Sequence, residues 1–152
     1  MKRRGATKKN IIYQAPVLYV GLFYTLLLIW TVVCVTLLGS KAMKVGWPLG
    51  QLLMIAFVVA YTWYFSLGIS YRLKMGDRGD VQLTSVRRVL NIQVKEISGV
   101  EGPRFAIMYY GFIRFRLDRE KAYLFSLITD AELQKILSAM RRANRDMTFK
   151  GL

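Results

Sequence analysis

The sequence predicts an α+β membrane protein: a two-helix transmembrane hairpin followed by a seven-stranded antiparallel module with a C-terminal helix. Three observations predict it. No charged side chain occurs from Ile11 to Ser40, nor again from Val45 to Tyr71. From Ser70 onward apolar and polar residues alternate with period two. After Thr129 the apolar spacing becomes helical. The expected organisation is a basic N-terminus over residues 1–14, a hairpin over 15–69 with spans at about 15–39 and 47–68, and a module over 70–152.

A helix needs about 20 apolar residues to cross the hydrocarbon core of a bilayer. The segments Ala15–Gly39 and Trp47–Gly68 both meet this. Away from water, a single segment satisfies its backbone amides only as a helix. Pro48 suits a first helical turn, and Trp47, Tyr61, Trp63 and Tyr64 sit near the ends of the second span, as interfacial aromatics do. The first apolar run is longer than the core of a cleaved signal peptide and lacks a small-residue cleavage site, so it reads as an anchor. Thr25, Thr31, Thr36, Thr62 and Ser66 are expected to bond the preceding helical turn. No ionisable group inside either span points to transport chemistry. The G-x-x-x-G at Gly46–Gly50 encloses Trp47 and Pro48 and is a poor helix-pairing face. Cys34, the one cysteine, reads as packing or lipid-facing.

Charge sets the expected orientation. The formal net charge is +14, and five Lys and Arg fall within the first ten residues. Arg72, Lys74 and Arg78 follow the second span, whereas the loop Ser40–Gly46 holds only Lys41 and Lys44. Both termini should therefore face the cytoplasm, which places the chain in a bacterial cytoplasmic (inner) membrane. That bias accounts for the basic excess without nucleic acid.

Within the module, Tyr71, Leu73 and Met75 alternate with Arg72 and Lys74, and Gly76–Gly79 is a turn. Val81 and Leu83 follow; then Leu90, Ile92 and Val94; then Ile97 and Val100. "RFAIMYYG" alternates until Gly111 breaks it; "FIRFRLD" and "AYLFSLI" complete seven half-buried strands. Thr129 with Glu132 forms a capping box. Leu133, Ile136, Leu137 and Met140 then make one apolar stripe on a helix from about Asp130 to Arg145.

The segments "YRLKMGDRGDVQLTS", "RRVLNIQVKEISGVEG" and "GFIRFRLD…AYLFSLITDAELQKIL" carry a resemblance over residues 70 to 145. Their order of elements resembles the small bacterial pleckstrin-homology-like (PH-like) domains that follow transmembrane helices. The resemblance implies a seven-stranded PH-like antiparallel barrel, its open end covered by the C-terminal helix. It does not fix a function. The inositol-phosphate run of eukaryotic relatives is missing, since the first hairpin offers Lys74 and Arg78 together with Asp77 and Asp80.

Few side chains suit catalysis. There is no histidine, no cysteine outside the spans, no G-x-S-x-G and no phosphate-binding glycine loop. Neither an enzyme nor a metal or other cofactor is expected, and no small-molecule substrate. The tripeptide Arg78-Gly79-Asp80 lies in a turn on the cytoplasmic side, where integrin binding has no place. Arginines interleaved with aromatics in "FIRFRLDREK" fit an outward strand face better than a nucleic-acid surface.

What remains is location. The expected role is an anchored interaction protein, an accessory, scaffold or assembly subunit of a larger membrane complex. Its candidate contacts with other integral membrane proteins are Tyr110, Phe112, Arg114 and Arg116. The alternative is binding or sensing of anionic lipid headgroups by Arg72, Lys74 and Arg78. A transporter subunit is a third and remoter reading.

Overall fold

The computed structural model describes residues 10–45, 49–103 and 109–151. The chain divides into two compact units, one of Val17–Leu67 and the other of the residues on both sides of it.

The first unit is a pair of helices, α1 (Val17–Val45) and α2 (Leu49–Ser66). Both are long and apolar enough to cross a membrane. The apolar part of α1, Val17–Ser40, spans 24 residues, and α2 spans 18. At 1.5 Å per residue these are about 36 and 27 Å long, against a hydrocarbon core of about 30 Å. Leu18, Leu22, Leu26, Ile29, Phe57 and Tyr61 lie exposed along them. A helix apolar on every side is suited to lipid, not to a water-facing surface. Thr25, Thr31 and Thr62 donate to carbonyls four residues back, and Thr36 three back, as the sequence implied. Thr31 does more: its hydroxyl also accepts from Trp63 Nε1 at 2.8 Å, joining the helices. Tyr24 donates to the Ser66 carbonyl at 2.9 Å and makes a second tie. The expected loop from Ser40 is shorter than predicted, because α1 runs on to Val45. Trp47 and Pro48 lie outside the described residues.

The second unit is a sheet with one helix. Its strands are β1 (Ile11–Gln14), β2 (Ser70–Met75), β3 (Asp80–Ser85), β4 (Val89–Gln93), β5 (Ile97–Glu101), β6 (Tyr110–Leu117), β7 (Lys121–Leu127) and β8 (Thr148–Lys150). The order is β4-β3-β2-β7-β6-β5-β8, with β1 on β2. Leu73, Val81, Leu83, Ile92, Val100, Ile113 and Phe115 are buried, which is what the period-two alternation encodes. Ile97 and Val100 both point inward although three residues apart, because the β5–β6 register shifts between Ile97 and Gly99. In β7, Ala122, Leu124, Phe125 and Ser126 are all buried, so this strand is covered on both faces.

The helix α3 (Ala131–Ala143) packs on β1 and on the 3-10 turn Val94–Glu96. Its apolar stripe of Leu133, Ile136, Leu137 and Met140 is buried, as expected. Its cap differs. Asp130, not Thr129, is the N-cap, and its carboxylate accepts from the amides of Glu132 and Leu133. The helix also ends before Arg145, at Ala143.

Three further expectations are corrected. First, the sheet is eight-stranded and mixed among the described residues: β2 runs parallel to β7, and β5 parallel to β8. Second, it is not closed into a barrel. The strand β1 takes the edge of β2 from Arg72 to Met75, which confines the β2–β7 pairing to Ser70 and Leu124. Between β4 and β5, Asn144 fills the gap by donating to the carbonyls of Val94 and Ile97 at 3.2 Å. Third, Gly111 does not break a strand. It lies inside β6 opposite Ser126, whose hydroxyl donates to the Gly111 carbonyl at 3.0 Å. Most of the strand expected at "RFAIMYYG" lies at 104–108, outside the described residues, and Tyr109 after it is in a turn.

The strand β1 joins the sheet from the other side of the helix pair in the sequence. Ile11 to Gln14 pair with Met75 to Arg72, and the Ala15 amide donates to the Tyr71 carbonyl at 2.8 Å. The chain about to enter α1 is thus laced to the chain that has just left α2. Tyr13 anchors the strand: it is 1% exposed, accepts from the Leu127 amide at 2.9 Å and donates to the Phe125 carbonyl at 3.3 Å.

Candidate functional site

Two outward surfaces hold the residues singled out by the sequence. The first is the solvent side of β2, β3 and β4. Antiparallel pairing sets Lys74, Gln82 and Asn91 in one row and Arg72, Thr84 and Val89 in the next. Gln82 donates to Asn91, and Arg72 donates to Gln14 of β1 at 3.0 Å. Beyond Lys74 the chain turns at Gly76–Gly79, with Gly79 at φ 78°, a conformation glycine adopts without steric penalty. A cleft of about 660 Å³ opens there.

Lys74 and Arg78 line that cleft, and Arg72 does not. Arg72 lies one row nearer the start of β2 and Arg78 beyond its end, in the turn, so the three cations do not converge. Asp77, Asp80 and Glu96 line the same cleft. Two cations against three carboxylates leave it net negative, which does not favour an anionic headgroup. The Glu96 carboxylate accepts from the Gln93 amide, and the Asp80 carboxylate from the Gln93 side chain. Among the described residues no group of three or more Cys, Asp or Glu is placed to hold a metal ion.

The second surface is the outward face of β6. Tyr110, Phe112, Arg114 and Arg116 alternate with buried Gly111, Ile113 and Phe115, so the structure does bring these four together. Phe112 packs its ring on Phe125 at 5.2 Å between centroids. Arg114 and Arg116 share one acceptor, Glu101 of β5, which the pairing sets directly across from Arg114. The Arg116–Glu101 distance is 2.6 Å. Glu101 and Arg114 are only 16% and 22% exposed. The hydrogen bond that Arg114 donates to the Glu101 carboxylate holds the Arg114 pKa above its already high ordinary value; burial opposes it, and a hydrogen bond with Tyr123 adds a smaller push upward. Among the described residues the Arg114 Nε is buried without a hydrogen-bond partner. The two guanidinium groups are therefore fixed in place by one carboxylate, a preorganised face with an aromatic border.

Nothing in the sequence alone marks Glu101 for this role. The only signal was a register that becomes readable once β5 is set against β6. Tyr109, expected within the strand at "RFAIMYYG", lies in a turn instead, 64% exposed at φ 68°. Few bulky side chains adopt that conformation.

Against protein-family models, curated proteins and solved structures alike, the chain finds no match. Its functional reading rests on geometry.

Proposed function

We propose that the chain is a membrane-anchored interaction protein, an accessory, scaffold or assembly subunit of a larger membrane complex. In this reading α1 and α2 cross the bacterial cytoplasmic membrane, and the sheet-and-helix unit is a PH-like module on the cytoplasmic side. The observation that carries it is the β1–β2 ladder. One strand enters α1 and its neighbour leaves α2, so both lie on one side of any membrane that the helices cross. The basic flanks then make that side the cytoplasm.

The contact with other membrane proteins is assigned to the β6 face. Large interfaces favour fixed arginines beside aromatic anchors, because little side-chain entropy is lost on binding. Arg114 and Arg116 are already immobilised by Glu101, and Phe112 by Phe125. No catalytic step, cofactor or nucleic acid enters the proposal.

The test is purification of the full chain from its native membrane in mild detergent, with mass spectrometry. One membrane complex should co-purify in fixed stoichiometry, and Phe112→Ala with Arg116→Glu should release it. A chain that purifies alone, or one whose complex survives both substitutions, overturns the assignment. Thiol labelling of an added C-terminal cysteine from outside the cell would overturn the topology.

A further inference from the structure

The pairing that sets Glu101 beside Arg114 extends over four strands. Glu101 lies opposite Arg114 of β6 on one side and Lys150 of β8 on the other, and Arg114 lies opposite Tyr123 of β7. One row across the sheet is therefore Lys150, Glu101, Arg114 and Tyr123. The next is Thr148, Gly99, Arg116 and Lys121. Residues paired across neighbouring strands share a face. Val100, Ile113, Phe115 and Ala122, which alternate with them, are buried on the other face. In these two rows Arg114, Arg116, Lys121 and Lys150 stand against a single carboxylate, Glu101, a net of +3. All nine Asp and Glu of the chain lie among the described residues. Asp118 and Asp146, beyond the rows, each adjoin an arginine in the chain, Arg119 and Arg145. Lys121 and Lys150 are exposed and enter no ion pair among the described residues.

A face with this charge attracts an anion, and three observations select its class. Both guanidinium groups already hold a carboxylate: Arg114 meets one oxygen of Glu101 and Arg116 the other. Arg116 does so through Nε and stays 50% exposed, so its terminal nitrogens are further donors. Single-stranded nucleic acid would need open aromatic faces for its bases, whereas the Phe112 ring packs on Phe125. A lipid surface is gripped by cations together with apolar side chains that insert, and these rows hold no exposed apolar side chain. Strands lie about 4.8 Å apart and alternate residues of a strand about 6.7 Å. The four cations therefore span about 16 Å, the length of roughly five extended residues. We propose that the outward face of β8, β5, β6 and β7 binds a short acidic segment of a protein partner, with its carboxylates at Arg116, Lys121 and Lys150. The inference rests on the reading of the β6 face as the partner contact and adds the chemistry of what that face takes.

Fluorescence anisotropy on the full chain in neutral detergent tests it. The probe is a short fluorescein-labelled peptide alternating glutamate with serine, and the same peptide with glutamine for glutamate is its blank. The glutamate peptide should bind, and more weakly as salt rises. Lys121→Glu with Lys150→Glu should weaken it roughly tenfold or more. Lys95→Glu with Lys135→Glu, an equal change of charge in the 3-10 turn and α3, should leave it unchanged. Circular dichroism checks that each variant is folded. A glutamate peptide bound no better than its blank, or equally weakened by both pairs of substitutions, overturns the proposal. So does single-stranded DNA or dioctanoyl phosphatidylglycerol that displaces the probe at lower concentration than the unlabelled peptide. The lysine variants are then purified from native membrane. Loss of the complex with Lys121→Glu and Lys150→Glu supports the acidic segment. A complex that resists them but is released by Phe112→Ala with Arg116→Glu refutes the segment and leaves the β6 contact standing. An unsubstituted chain that purifies alone removes the β6 contact and the segment with it.

Discussion

Removing one oxygen, by Tyr13→Phe, tests whether β1 belongs to the sheet. The ring stays, so no cavity opens. What disappears is the acceptor for the Leu127 amide and the donor to the Phe125 carbonyl, beside a side chain only 1% exposed. A buried group left unsatisfied costs about 1–3 kcal/mol. Taking about 2 kcal/mol, the opening equilibrium around Leu127 should shift roughly thirtyfold. Native-state hydrogen exchange by mass spectrometry, on the full chain in detergent, reads this in peptides covering Ile11–Gln14 and Ser126–Ile128. Peptides from β3 and β4 should change far less, since local openings need not involve the whole sheet. Tyr13→Ala should add the loss of the aromatic ring, about 3–5 kcal/mol for a large side chain. If Tyr13→Phe shifts exchange at Leu127 by less than roughly twofold, a few tenths of a kcal/mol, β1 does not dock on β7. The argument that both ends of the helix pair lie on one side then loses its support.

Four other outcomes are expected. Asp130→Ala should lower stability by about 1 kcal/mol, as loss of an N-cap does, whereas Thr129→Ala should leave the thermal midpoint nearly unchanged; equal effects would mean that the cap is misassigned. Glu101→Ala should destabilise the sheet by about 1–3 kcal/mol, because Arg114 and Arg116 lose their common acceptor and Arg114 is largely covered; denaturant titration in detergent measures it, and a change within about 0.5 kcal/mol would refute the pairing. Gly99→Ala would bring a Cβ to 2.7 Å from the Thr148 hydroxyl; exchange in β8 should rise, and adding Thr148→Ala should reverse it. Trp63→Phe removes the donor to Thr31; at about 0.6 kcal/mol for an average interhelical bond in a membrane, β1 amides should open roughly threefold more often, with β4 amides unaffected.

How legible these features were depended on how local their cause is. The spans needed only two charge-free runs, and α3 only four apolar residues at helical spacing. Leu73, Met75, Val81, Leu83, Ile113 and Phe115 announced their burial by alternation. The strand β1 was hidden because its apolar residues merge into the run that begins α1, and because its partner Met75 lies far along the chain. The strand β8 is three residues long, too short for any period, and pairs in parallel with β5. In β7, expected to be half-buried, Leu124 and Phe125 are both buried, since a strand covered on two faces carries no alternation to read. Of the candidate site, the β6 face was legible as a row of residues. Its immobilisation by Glu101 was not, because it depends on register.

The position of β1 has a kinetic consequence as well as a topological one. A whole helix pair is inserted between two paired neighbours, Gln14 and Arg72. Closing so long a loop costs chain entropy, and the cost grows with the logarithm of the free length. Two helices already side by side, tied by Trp63 to Thr31 and by Tyr24 to the Ser66 carbonyl, shorten the effective loop to the few residues at its mouth. The strands β2 to β4, in contrast, are joined by tight turns and can pair at once. On this argument the β2–β4 meander forms first and β1 docks last, after the helix pair has formed. Docking of β1 also supplies a surface on which α3 packs. Completion of the sheet then depends on correct pairing of α1 with α2, and a chain in which they fail to pair would leave the edge of β2 and the buried face of α3 uncovered.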